Sequence, residues 1–200
     1  MSRDKDARAG RVVIMSHCLL NSNSKVHGLA RHAGMAMEVL EILHRHDLGL
    51  IQLPCPEILY LGPHRWWQSK ELYDTPPYRR FCRAQAAPAT EQLRLHAQAG
   101  VKVACVLGVD GSPNCGVNMT PHADSWGGRP QEVDLDGLVV PGRGVFMEEL
   151  EACMRQQEVV PPPFYGLALE DLQRPLEEIL ADLEKFIASL FIAGQSGTGK

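Results

Sequence analysis

The chain predicts an α/β fold: a three-layer sandwich with a mainly parallel sheet and helices on both faces. Two observations carry this. Short apolar, β-branched runs alternate with longer segments whose apolar residues recur at helical spacing, which is the pattern of βαβ units. The chain is also 44% apolar and 22% charged, the balance of a globular protein with a buried core. At 200 residues it reads as a single domain over 1–193, followed by a flexible tail at 194–200.

The elements follow in order. Arg11–Ser16 is a short buried strand, and Gly34–His46 is a helix carrying Ala36, Val39, Leu40 and Leu43 on one face. Leu48–Leu53 is a second strand, stopped by Pro54 and Pro56. Pro76 to Gln98 is helical, with Pro88 expected to break or kink it. Val101–Leu107 is a third strand ended by Gly108, and Val145–Gln157 a further helix. Val159–Pro163 is expected as an edge strand, because its prolines cannot donate to a ladder. Leu169–Phe191 is a long amphipathic helix with a stripe from Leu172 to Leu190.

A net charge of −4 gives no bulk attraction to nucleic acid or anionic lipid, so neither DNA nor a membrane is expected as a partner. No stretch approaches the roughly 18–20 apolar residues of a membrane span. The apolar run after the charged first residues is too short for a signal peptide. The expectation is a cytoplasmic protein, monomer or dimer, whose six cysteines stay thiols or metal ligands.

Those cysteines fall into two kinds. Cys82 follows Tyr78 by one helical turn, Cys153 shares a stripe with Val145, Phe146 and Leu150, and Cys105 is placed on one strand side with Val101, Val103 and Leu107. All three read as small buried hydrophobes. Cys18, Cys55 and Cys115 instead follow the ends of the three strands. In a parallel sheet these loops emerge on one edge, where such folds bind ligands. The three lie 37 and 60 positions apart, so there is no CxxC pair and no zinc ribbon. Three convergent thiolates leave a metal or an iron–sulfur cluster one ligand short, and their softness suits iron–sulfur or zinc.

The local sequences are specific. His17-Cys18-Leu19-Leu20-Asn21, Cys55-Pro56-Glu57 and Gly111-Ser112-Pro113-Asn114-Cys115-Gly116 resemble the three cysteine motifs of the thiouracil desulfidase family, over about residues 11–118. Two departures mark a related branch. Leu61 to Trp67 stand where founding members carry a Gly-Gly-Leu and Pro-Arg segment, and Asn114 stands where they have a serine. The resemblance implies a [4Fe-4S] cluster held by three cysteine ligands, Cys18, Cys55 and Cys115, with one open iron. It also implies non-redox removal of sulfur, as hydrogen sulfide, from the thiocarbonyl of a thiolated nucleobase or related small molecule.

On these residues Glu57 is the preferred proton-moving group, with capping of the following turn as its ordinary alternative. Ser112 is placed to hydrogen-bond substrate or hydrosulfide, or to form the turn before Pro113. His17, Asn21, Asn23, Lys25, Arg65 and Trp66, with Trp67 beside it, are candidate substrate contacts. Two other classes fit the same thiols: a three-cysteine zinc hydrolase, and a non-enzymatic iron–sulfur sensor or sulfur carrier. Gly194–Lys200 matches the spacing of a phosphate-binding loop, but it follows a helix and precedes none, so it reads as tail.

Overall fold

The computed structural model describes residues 6–124, 136–169, 171 and 173–192. The expected tail at 194–200, and Leu172 of the expected C-terminal stripe, lie outside them. The elements are β1 (Arg11–Met15), α1 (His17–Leu20), α2 (Met37–Arg45), β2 (Gly49–Gln52), α3 (Pro56–Leu61), α4 (Lys70–Tyr73) and α5 (Pro76–Gln98). They continue with β3 (Lys102–Val109), β4 (Met119–Pro121), β5 (Val139–Pro141), α6 (Val145–Gln156), β6 (Phe164–Leu167) and α7 (Leu176–Ile192).

Among the described residues β2, β1, β3 and β6 form one sheet in that order, and every pairing in it is parallel. Strand side chains alternate between faces. Val12 and Ile14 enter a core with Tyr78, Cys82 and Leu93 of α5 and Phe146 and Leu150 of α6. Val13 and Met15 point the other way, onto Val39, Ile42 and Leu43 of α2 and Leu183 and Ile187 of α7. Helices therefore cover both faces, and the three-layer α/β architecture stands. Antiparallel β4 and β5 form a small separate ribbon.

Four expectations are corrected. Cys105 does not share a side with Val101 and Val103: the β1–β3 register shifts between Val12 and Ile14, and this irregularity sends Val103 to one core and Cys105 to the other. The fourth strand is Phe164–Leu167 rather than Val159–Pro163, because three successive prolines delay pairing until donors are available. Pro88 does not end α5, which runs through it for 23 residues; its fixed φ suits a helix, and its packed neighbours Ala86 and Ala89 hold the segment on the core. The last helix starts at Leu176, after Pro175, whose carbonyl accepts the first amides of the helix from Glu178 and Ile179. Proline opens a helix more readily than it sits inside one.

Candidate functional site

All four strands of the parallel sheet deliver their carboxyl ends to one edge, and three of the following loops carry a cysteine. Cys18 lies in α1, whose N-cap Ser16 is pinned to β3 through its amide on the Leu107 carbonyl at 3.0 Å. Cys55 is itself the N-cap of α3, with Pro56 presetting the first turn.

Cys115 sits in a tightly folded return after β3. Its carbonyl accepts from the Val109 amide at 2.8 Å, and its amide donates to Ser112 Oγ at 2.9 Å. Asp110 gathers the far side of that loop: Oδ1 accepts the amides of Val117 and Asn118, each at 2.8 Å. Two glycines make room for this. A Cβ on Gly108 would stand 2.4 Å from the Cys115 carbonyl, and one on Gly166 would stand 2.2 Å from Asp110 Oδ1.

Cys18, Cys55 and Cys115 line one cavity of about 90 Å³, together with Glu57, Ser112 and Lys25. A water needs roughly 10–15 Å³ by the same kind of measure, so the space takes a group of several atoms. A wider cavity of about 770 Å³ shares Lys25, Arg65 and Trp67 with it and adds Asn23 and Trp66. Among the described residues no three His, Cys, Asp or Glu side chains stand close enough to share one metal ion. Three soft sulfurs around one cavity suit iron–sulfur or zinc.

Burial dominates the electrostatics of the thiols. It pushes Cys18 up to about 11, against the nearby positive charge of Lys25 and with the negative charges of Cys55 and Glu57. Burial raises Cys55 too, followed by the charge of Glu57. Cys115 is pushed well up by burial and then by the charges of Cys18 and Cys55. Lys25 is lowered by burial, with the thiols and Glu57 opposing.

The remaining sequence-predicted residues separate. Lys25, Arg65 and Trp67 line both cavities, whereas Asn23 and Trp66 belong to the outer one. His17 turns its Nδ1 to Gln52, and Asn21 caps its own turn by accepting from Asn23. Neither lines the two cavities. Ser112 accepts two loop amides and lines the inner cavity. Glu57 has both oxygens engaged: Oε2 accepts from Arg65 Nε at 2.9 Å and Oε1 from Asn114 Nδ2 at 3.1 Å.

Sequence reasoning missed Ser16, Tyr73 and Asp110. Of these only Asp110 carried a local signal, an aspartate closing a strand directly before Gly111-Ser112-Pro113.

No family model matches the chain. The fold is similar to a solved structure described as a [4Fe-4S]-dependent thiouracil desulfidase, with a TM-score of 0.46 and 18% identity, covering 88% of this chain and 99% of that one. An uncharacterized protein of Methanocaldococcus jannaschii is 41% identical over 107 residues, which are 54% of this chain and 68% of the archaeal protein. With that identity over two thirds of the relative, the chain belongs to the family of this archaeal protein.

Proposed function

We propose that this chain is an iron–sulfur-dependent desulfidase that removes sulfur from the thiocarbonyl of a small molecule of the thiolated-nucleobase type. The observation that supports it most is the meeting of three strand-end cysteines, and of none of the other three, around one cavity at the carboxyl edge of the sheet. Their sequence motifs resemble those of the thiouracil desulfidases at the same three places.

Cys18, Cys55 and Cys115 would hold the cluster, which when bound supplies a soft Lewis acid for a thiocarbonyl sulfur. The chain's own groups do the rest. Trp66 and Trp67 offer aromatic faces at the entrance. Lys25 brings positive charge to the passage between outer and inner cavity. Ser112 Oγ is fixed by the amides it accepts, which leaves its proton to donate to a bound substrate or to departing hydrosulfide. Glu57, whose oxygens already accept from Arg65, Tyr73 and Asn114, first holds the site together.

The test is sulfide release by the reconstituted protein from a panel of thiolated bases, nucleosides and nucleotides. Turnover of at least one member, lost in Ser112→Ala with iron content kept, is the expected result. No sulfide from any member by an iron-loaded protein would turn the reading toward a sensor or carrier.

A further inference from the structure

We propose that the buried Glu57–Arg65 pair is the positioning element that sets the spacing of the three thiol-bearing loops; this rests on the reading of Cys18, Cys55 and Cys115 as joint ligands. Each loop is tied to the pair by one hydrogen bond or by the chain itself. Glu57 lies two positions after Cys55 on α3. Its Oε1 accepts from Asn114 Nδ2 at 3.1 Å, and Asn114 directly precedes Cys115. Its Oε2 accepts from Arg65 Nε at 2.9 Å, and Arg65 Nη2 donates onward to the Ser24 carbonyl at 2.7 Å. Ser24 ends the short turn that follows Cys18. Tyr73 Oη adds a longer bond to Oε2 at 3.4 Å. A single carboxylate and a single guanidinium thus join all three ligand loops.

The side chains suit that task. Arg65 is 3% exposed and Glu57 11% exposed, so solvent does not compete for the bonds. A planar guanidinium aims donors in two fixed directions at once, here at a carboxylate and at a backbone carbonyl. An ammonium is a point charge that pairs with Glu57 but does not span both acceptors. Arg65→Lys therefore keeps the charge and cuts one tie, the one to the Cys18 loop. Asn114→Ala cuts the tie to the Cys115 loop and leaves the ion pair whole.

The experiment treats the full chain with dibromobimane, a two-armed thiol reagent that fluoresces once both arms have reacted, and maps the linked peptides. Iron content after anaerobic reconstitution is measured in parallel, and far-UV circular dichroism selects variants that keep the fold. In wild type, links among Cys18, Cys55 and Cys115 are expected. Arg65→Lys should lower the links from Cys18 several-fold and leave the Cys55–Cys115 link. Asn114→Ala should do the reverse, lowering the links from Cys115. A pair that only stabilised the fold would move the melting point without choosing between links. Should Arg65→Lys fail to fold, the double variant Glu57→Gln/Arg65→Met, which buries no lone charge, should fold and lose links from Cys18, while the amide oxygen at position 57 still accepts from Asn114 and keeps the Cys55–Cys115 link. Unchanged link patterns in folded variants overturn the proposal. Wild type that links its thiols but takes up no iron would overturn the cluster reading instead, and the link patterns would still decide the role of the pair.

Discussion

A serine in place of Cys18, Cys55 or Cys115 removes one of only three thiols facing the inner cavity. Each substitution should abolish stable iron binding after reconstitution, read as iron and sulfide per chain. Cys82, Cys105 and Cys153 are packed in the two cores instead. Serine there should keep the iron and cost about 1–3 kcal/mol, the penalty of a buried hydroxyl without a sure partner. Loss of iron in Cys105→Ser with retention in Cys18→Ser would refute the assignment.

Glu57 belongs to the same scale. Glu57→Gln leaves the Arg65 charge buried and unpaired, which typically costs about 3–5 kcal/mol, or roughly 6–20 °C in melting temperature for a chain of this length. The double variant with Arg65→Met should recover most of that loss, since removing both charges leaves neither stranded. Equal melting of Glu57→Gln and wild type would mean that the pair is not buried as described. Cys55 and Cys115 were legible because proline and glycine mark the strand ends around them, and Cys18 because it closely follows an apolar, β-branched run. The partners of Glu57 were not, because Arg65 and Asn114 lie 8 and 57 positions away and carry no spacing signal.

Among the elements, α5 and α6 show how polar residues join an apolar contact. Arg79 of α5 donates to Glu148 at 2.7 Å and Glu149 at 3.0 Å on α6, and to Asp74 at 2.8 Å. Arg83 adds a bond to Glu149, whose side chain is 5% exposed. The hydrogen bonds from Arg79 hold Asp74 below its ordinary value of 3.8. A lowered carboxyl contributes stability at pH above its ordinary value and loses it as pH falls through the lowered one. Arg79→Ala should thus cost about 1–2 kcal/mol at pH 7, discounted for partial exposure, and the gap to wild type should narrow as the pH is taken below about 4. Urea unfolding at several pH values checks this, and a gap that widened on acidification would contradict it.

Long periodic helices and apolar strands were readable from pattern alone. The short α3 and α4 were not, because four to six residues contain less than two turns of periodicity. The strand at Phe164–Leu167 was misplaced because Val159 and Val160 look β-forming, while the prolines after them decide where pairing begins.

For the whole molecule, the parallel sheet turns three distant sequence positions into one site. Once β1, β2 and β3 run in the same direction, the residues that follow them share an edge, and a cysteine in each loop needs no sequence proximity to meet the others. That step was legible from strand order and cysteine position. The loop ties behind it, through Asp110, Ser112 and the Glu57–Arg65 pair, depend on side-chain reach and became visible only with the fold in place. On the proposed reading these three thiols together hold an iron–sulfur cluster. Anaerobic reconstitution of the full chain with iron and sulfide, followed by metal and sulfide analysis and visible absorption, tests it most directly. A brown protein with about four iron and four sulfide per chain, lost in each of the three cysteine variants, is the expected result. A colourless protein that rejects iron and binds one zinc through the same cysteines would contradict it.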